Sequence, residues 1–96
     1  MAGEMLKHST YFQDQVQSVG FERHGRRMTV GVIAPGQFHF GTEAAERMTV
    51  VSGELAIRTG EGEWRSYPAG TQFEVAAKSG FDVRAAEPTA YLCEYL

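Results

Sequence analysis

The chain has 96 residues, 43% of them hydrophobic, with a formal net charge of −3. That is one domain's length with apolar material for a single core, and its acidic balance argues against a nucleic-acid partner, which needs a basic face. No apolar run approaches the roughly 20 residues of a membrane helix, no basic-then-apolar leader stands at the front, and a lone cysteine, Cys93, suits a reducing cytoplasm.

Eleven glycines and a scarcity of helix-period apolar runs predict an all-β domain over 1–96. Residues 1–10 are polar and aperiodic, a loosely ordered lead-in. Residues 11–21 carry Phe12, Val16, Val19 and Phe21 in a strand whose register shifts near Ser18, and 22–25 form a turn. Met28, Val30 and Val32 alternate with Thr29, Gly31 and Ile33 in a second strand. Pro35-Gly36 turns the chain into a strand that sets Phe38, Phe40 and Thr42 on one face. Residues 42–45 bridge to Glu46 and a strand at 48–51, and Ser52-Gly53 predicts a tight hairpin into a strand with Leu55 and Ile57 inward. Gly60 to Glu63 is an exposed turn. Trp64, Tyr67 and the Pro68-Ala69-Gly70 turn lead to a strand with Phe73 and Val75 on one face. Phe81, Val83 and Ala85 make another, which Glu87-Pro88 breaks. The last strand sets Tyr91, Cys93 and Tyr95 on one face and Leu92 and Leu96 on the other. Roughly nine short strands with frequent turns are the pattern of a sandwich or barrel. Apolar residues on both faces of several strands, Leu92 and Leu96 above all, predict a homodimer.

Two stretches resemble the motifs of the cupin barrels. Gly53 follows Glu46 after six residues, matching the end of the first motif, but its two histidine positions hold Phe40 and Thr42. Pro68-Ala69-Gly70 matches the opening of the second, whose histidine and asparagine positions hold Phe73 and Ala77. The expected fold is a cupin-like jelly-roll β-barrel that has lost its metal. A borderline divalent ion needs imidazoles and carboxylates converging at roughly 2.0–2.2 Å, and one carboxylate with two phenyl rings does not supply them. His39 alternates with Phe38 and Phe40 and so points outward, while His8 and His24 lie in polar segments.

A closer resemblance runs from about Met5 to the end. Thr10-Tyr11-Phe12, Val30-Gly31-Val32, Phe40-Gly41-Thr42, the Met48 to Leu55 stretch Met-Thr-Val-Val-Ser-Gly-Glu-Leu and, most specifically, the closing Glu-Pro-Thr-Ala-Tyr-Leu-Cys-Glu-Tyr-Leu are similar to the small bacterial pyrimidine/purine nucleoside phosphorylases of the cupin superfamily. The resemblance implies phosphorolysis of diverse purine and pyrimidine nucleosides to free base and pentose 1-phosphate, with phosphate as co-substrate and no cofactor.

Breaking a nucleoside C1′–N bond builds positive charge on the sugar and negative charge on the base. It therefore needs a stabiliser of the cation, a donor to the base and a cradle for phosphate. Glu46 and Tyr91 are the catalytic candidates. Glu46 either faces the sugar or bonds backbone at a strand start. Tyr91 and Tyr95 either donate to base or phosphate oxygens or pack as core rings. Phe40 and Phe73, at former metal positions, either stack a base or fill the void together with Met48. Cys93 is a small filler, since no histidine is placed to activate it. For phosphate, Arg27 offers a bidentate fork or an exposed ion pair, with Thr42, Thr49 and Ser52 as further donors. Two other functions stay open: a cupin that binds a nucleoside or sugar without turnover, and a dimerisation module with a filled interior.

Overall fold

Alternating apolar and polar side chains carry most of the chain into extended structure. The computed structural model describes residues 5–96, and among them every regular element is a strand. In order these are β1 (Lys7–Tyr11), β2 (Val16–Arg23), β3 (Arg26–Ile33), β4 (Gly36–Gly41), β5 (Glu46–Ser52), β6 (Glu54–Arg58), β7 (Arg65–Pro68), β8 (Gln72–Val75), β9 (Gly80–Ala85) and β10 (Thr89–Tyr95). A six-stranded sheet of order β1-β2-β3-β10-β5-β8 faces a four-stranded sheet of order β4-β9-β6-β7. The result is a jelly-roll of two antiparallel sheets, without edge-to-edge hydrogen bonds closing them into a continuous barrel. Between them lies one core, with Ile33, Leu55, Val83, Val16, Val50 and Phe81 almost wholly out of water. Each such side chain stabilises the fold by about 1.5–3 kcal/mol relative to exposure.

Several expectations change here. Lys7–Tyr11 is not a loose lead-in but pairs with β2 from Lys7↔Gly20 to Tyr11↔Val16, while positions 1–4 of that lead-in lie outside the described residues. The expected strand over 11–21 is broken at its start rather than near Ser18. Phe12, Gln13 and Asp14 take φ of 54°, 55° and 68°, and Gln15 N–H closes onto Phe12 O at 3.1 Å. Ser52-Gly53 is not a hairpin. β5 belongs to one sheet and β6 to the other, so the chain crosses the core edge there. Gly53 makes the corner at φ 95°, and a Cβ on it would lie 2.5 Å from Thr89 Oγ1. That hydroxyl accepts from Glu54 N–H at 3.3 Å and locks the corner to the start of β10.

The sheets differ in their outer surfaces. Over the four-stranded sheet, Trp64 lies between Arg58 and Arg84, whose guanidinium carbons stand 4.7 and 4.2 Å from its ring centroid. Arg58 also reaches Asp82 at 3.2 Å. The six-stranded sheet shows water Val19, Val30 and Val32, which are 37, 46 and 49% exposed. Cross-strand register aligns Val19 with Val30 and Val30 with Leu92. Leu92 itself is half-covered, and Leu96 is exposed.

Thr42 follows β4, is buried, and does not line the cavity as a substrate contact would. Its Oγ1 donates to Ala76 O at 2.7 Å and accepts from Ser79 N–H at 2.9 Å, tying the end of β4 to the turn before β9. With both lone-pair and proton engaged in a buried position, this hydroxyl is a structural tie and not a substrate contact. Thr42→Val should leave those two backbone groups unpaired and lower unfolding free energy by about 1–3 kcal/mol in urea denaturation.

Candidate active site

β10 is paired on both sides, to β3 and to β5. Two ladders hold its alternation, so Tyr91, Cys93 and Tyr95 all face inward. The same registers place their inner-face neighbours. Gly31 lies beside Tyr91, Thr29 beside Cys93 with Met48 on its other side, and Glu46 beside Tyr95. Farther out, Ser18 stands next to Gly31 and Ser9 next to Ser18. The absent side chain at Gly31 matters: a Cβ there would lie 2.5 Å from Tyr91 Cζ and Oη. The Tyr91 ring rests on that bare backbone, which lets its hydroxyl lie low across β3.

Apart from Gly31 and Ser9, these residues line a cavity of about 260 Å³. Hydroxyls of Tyr11, Ser18, Thr29, Tyr91 and Tyr95 line one side with the Glu46 carboxyl and the Cys93 thiol, and Phe12 and Phe40 stand among the remaining walls. Phe40 is fixed from two directions, stacked on Phe12 at 5.7 Å and edge-on to Phe81 at 5.5 Å. Phe12 also tilts against Phe38 at 5.0 Å. Its backbone is in the left-handed region, which costs a non-glycine residue about 1–2 kcal/mol, and ring contacts offset that.

Glu46 is half-buried, and its carboxyl titrates above the ordinary value of 4.5 because burial disfavours the charge, although the Cys93 thiol donates to Oε1 at 3.4 Å and partly opposes this. Burial, together with the neighbouring Glu46, raises the Cys93 thiol far above its usual range, so it stays protonated as a donor. Burial likewise raises Tyr91 beyond the usual phenol range and pushes Tyr95 up to about 12. Both tyrosines thus hold their protons throughout the physiological range and can donate.

The structure gathers Glu46, Tyr91, Tyr95, Met48 and Phe40 around one cavity, but not the other expected residues. Phe73 is a core ring, 4.7 Å from Tyr67 and 6.2 Å from Phe81, and does not line the cavity. Ser52 is exposed at the corner between sheets, and Thr49 hydrogen-bonds Gln72 on the outer face. Arg27 lies past the cavity's end, its guanidinium 5.7 Å from the Tyr95 ring centroid. His39 borders the rim with its ring turned out to solvent, where Nδ1 donates to Asp82 at 2.8 Å and so, first among several causes, lowers the Asp82 pKa. Sequence reasoning misses Tyr11, Phe12, Ser18 and Thr29 as members of the site. Alternation signals Thr29 together with Gly31 in β3 and Ser18 together with Val16 in β2, a pattern obscured when the break at 12–15 is assigned to Ser18 instead. Among the described residues no three His, Cys, Asp or Glu side chains cluster. A carboxyl neighboured by a protonated thiol and phenyl rings is a donor set that does not suit a divalent cation.

Residues 6–95 match the sequence model of the family described as pyrimidine/purine nucleoside phosphorylase. A relative of that name from Sorangium cellulosum is 73% identical over 93 residues, covering 96% of this chain and 100% of its own. Another of that name from Anaeromyxobacter sp. is 67% identical, over 96% of this chain and 89% of its own. Among solved structures, a Vibrio parahaemolyticus protein of unknown function superimposes with a TM-score of 0.92 at 47% identity, covering 95% of this chain and 98% of that one. A cupin superfamily protein from Desulfitobacterium hafniense gives 0.72 at 14% identity, over 86% and 78%, a likeness of fold.

The raised Glu46 pKa has a signed consequence. The folded state holds this proton more tightly than the unfolded chain, so stability declines as pH rises from about 4.5 through the folded-state value and then levels off. Glu46→Gln should abolish that part of the decline, read as the difference between the two proteins' unfolding free energies across an acid-to-neutral titration. A constant difference across that range would show Glu46 to be unperturbed.

Proposed function

The chain belongs to the pyrimidine/purine nucleoside phosphorylase family, and on that premise we propose that it is a pentosyltransferase that cleaves purine and pyrimidine nucleosides with phosphate. The observation that carries this reading is the half-buried Glu46 carboxyl beside protonated Tyr91 and Tyr95 in a cavity also walled by Phe12 and Phe40. A phosphate oxygen attacks C1′ as the C1′–N bond breaks, and that bond's electron pair leaves on the base. Hydrogen phosphate brings one proton to the reaction, and the free base departs with one, so nucleoside and phosphate become base and pentose 1-phosphate without any other reactant.

Each group has a task. The flat faces of Phe40 and Phe12 stack a base without reading its edge, which suits purines and pyrimidines alike. In this reading the sugar C1′ sits beside the Glu46 carboxylate, whose partial burial strengthens its attraction for oxocarbenium charge. Tyr91 donates to an oxygen of the base or of phosphate, its direction set by the gap at Gly31. Met48 packs beneath the ring system as an adaptable apolar floor. No cofactor enters this scheme, and the reaction belongs in the cytoplasm, where the free Cys93 thiol stays reduced.

We further infer a homodimer through the outer face of the six-stranded sheet. That face is apolar along the Val19, Val30, Leu92 row, while the opposite outer face carries charged residues around Trp64. A second copy of the chain presents the same self-complementary stripe.

Two measurements test this. Glu46→Ala should retain the fold by circular dichroism and lower phosphate-dependent release of base from uridine and adenosine by at least about tenfold, a loss of about 1.4 kcal/mol of transition-state stabilisation. Nucleoside binding by the wild type without base release would instead make the chain a binding protein. In sedimentation, Val30→Glu should convert a dimer to a monomer, and an unchanged mass would move the interface elsewhere.

A further inference from the structure

We propose that the hollow beyond Tyr95, flanked by Lys7 and Arg27, is the subsite that holds inorganic phosphate. The proposal rests on the phosphorylase reading and adds to it a location, and Lys7 as a second cation beside the Arg27 expected from the sequence. The cavity over Glu46 and Tyr91, at about 260 Å³, falls below the range of roughly 300–1,000 Å³ common for ligand pockets. It is small for a nucleoside and an oxyanion together. A second hollow of about 510 Å³ lies farther along the same sheet, bordered by Lys7, Gly20, Glu22 and Arg27 together with the apolar Met5 and Phe21.

Register shows how the two are related. Along the inner face, Lys7 pairs with Gly20 and Gly20 with Thr29, and Thr29 is itself a wall of the first cavity. A Cβ at Gly20 would touch the Thr29 methyl at 3.7 Å, so the bare glycine leaves a low sill between the hollows. One row farther on, Arg27 pairs with Glu22 and its guanidinium lies over Tyr95, whose other neighbour is Glu46. Tyr95 thus stands between Arg27 and Glu46 in the sheet.

The charges of the sheet are sorted in the same way. Alternation puts Lys7 and Arg27 on the inner face, whereas Arg23, Arg26 and Arg47 fall on the outer one. Arg47 is already engaged there, by Glu74 at 3.2 Å and Glu94 at 3.8 Å. Among the described residues Lys7 and Arg27 make no ion pair, although Glu22 borders the same hollow. Two cations against one carboxylate leave a positive excess suited to a small dianion. Arg27 supplies a planar fork for two phosphate oxygens, Lys7 a mobile point charge, and Thr29 a hydroxyl at the boundary. The chain has no glycine-rich phosphate loop, so side chains must provide this charge.

The test separates phosphate binding from turnover. In steady-state assays, Lys7→Met and Arg27→Met should each raise KM for inorganic phosphate by about tenfold, the effect of losing one charge-assisted contact. KM for uridine at saturating phosphate should stay within about twofold. Arg27→Lys should recover only part of the loss, and the remote Arg65→Met should change neither constant. Unaltered phosphate KM in the Lys7 and Arg27 variants overturns the assignment. Calorimetric titration with inorganic phosphate alone is an independent measure: weaker binding in both variants supports the subsite, and equal binding overturns it. If the wild type binds phosphate through these residues but never releases base, the subsite stands and the phosphorylase reading falls.

Discussion

Six strands face four, and that difference in width governs the site. The four-stranded sheet covers β10, β5 and β8 well enough to bury Val50, Phe73 and Val75, but toward the β1-β2 edge the inner face has no complete cover. A sheet face left open tolerates polar side chains, because water or a ligand can satisfy them. There the inner rows change from valine and phenylalanine first to the buried hydroxyls of Ser18 and Thr29 and then to the exposed Lys7 and Arg27. The cavity is the boundary between a dry core and this wet shelf.

Glu46 sits on that boundary, and its chemistry follows from the position. Deeper in the core its carboxyl would remain protonated at all useful pH values, and on the shelf it would behave as an ordinary surface glutamate. Half-burial beside a protonated thiol holds it between these limits. A charge held in partly desolvated surroundings stabilises a developing cation more than the same charge in water does. The Cys93 thiol, kept protonated by burial, contacts that carboxyl as a hydrogen-bond donor.

The aromatic wall has a different origin. Phe38 and Phe40 come from β4, at the edge of the smaller sheet, and Phe12 reaches them only because the chain between β1 and β2 makes a left-handed turn. Phe12, the bulkiest of the three residues in that region, is held there by its ring contacts and by the Gln15 N–H bond to its carbonyl. Where cupin barrels carry histidines, this chain places one ring at the cavity, Phe40, and another inside the core, Phe73. The two substitutions look equivalent in the motif but occupy different layers of the fold.

Strand content and the inward alternation of Tyr91, Cys93 and Tyr95 were legible in the sequence, because a period of two is a local property. The start of β5 at Glu46 was legible too, through its spacing from Gly53. The sequence did not reveal which apolar residues line the cavity and which fill the core, since Phe40 and Phe73 differ only in what lies across from them. Nor did it reveal that Ser52-Gly53 crosses between sheets instead of closing a hairpin, or that Thr42 is occupied by backbone partners 34 and 37 residues away. Such facts depend on contacts between distant segments. Alternation assigns a side chain to a face of its strand, and only the packing of one sheet on another decides whether that face meets protein, ligand or water.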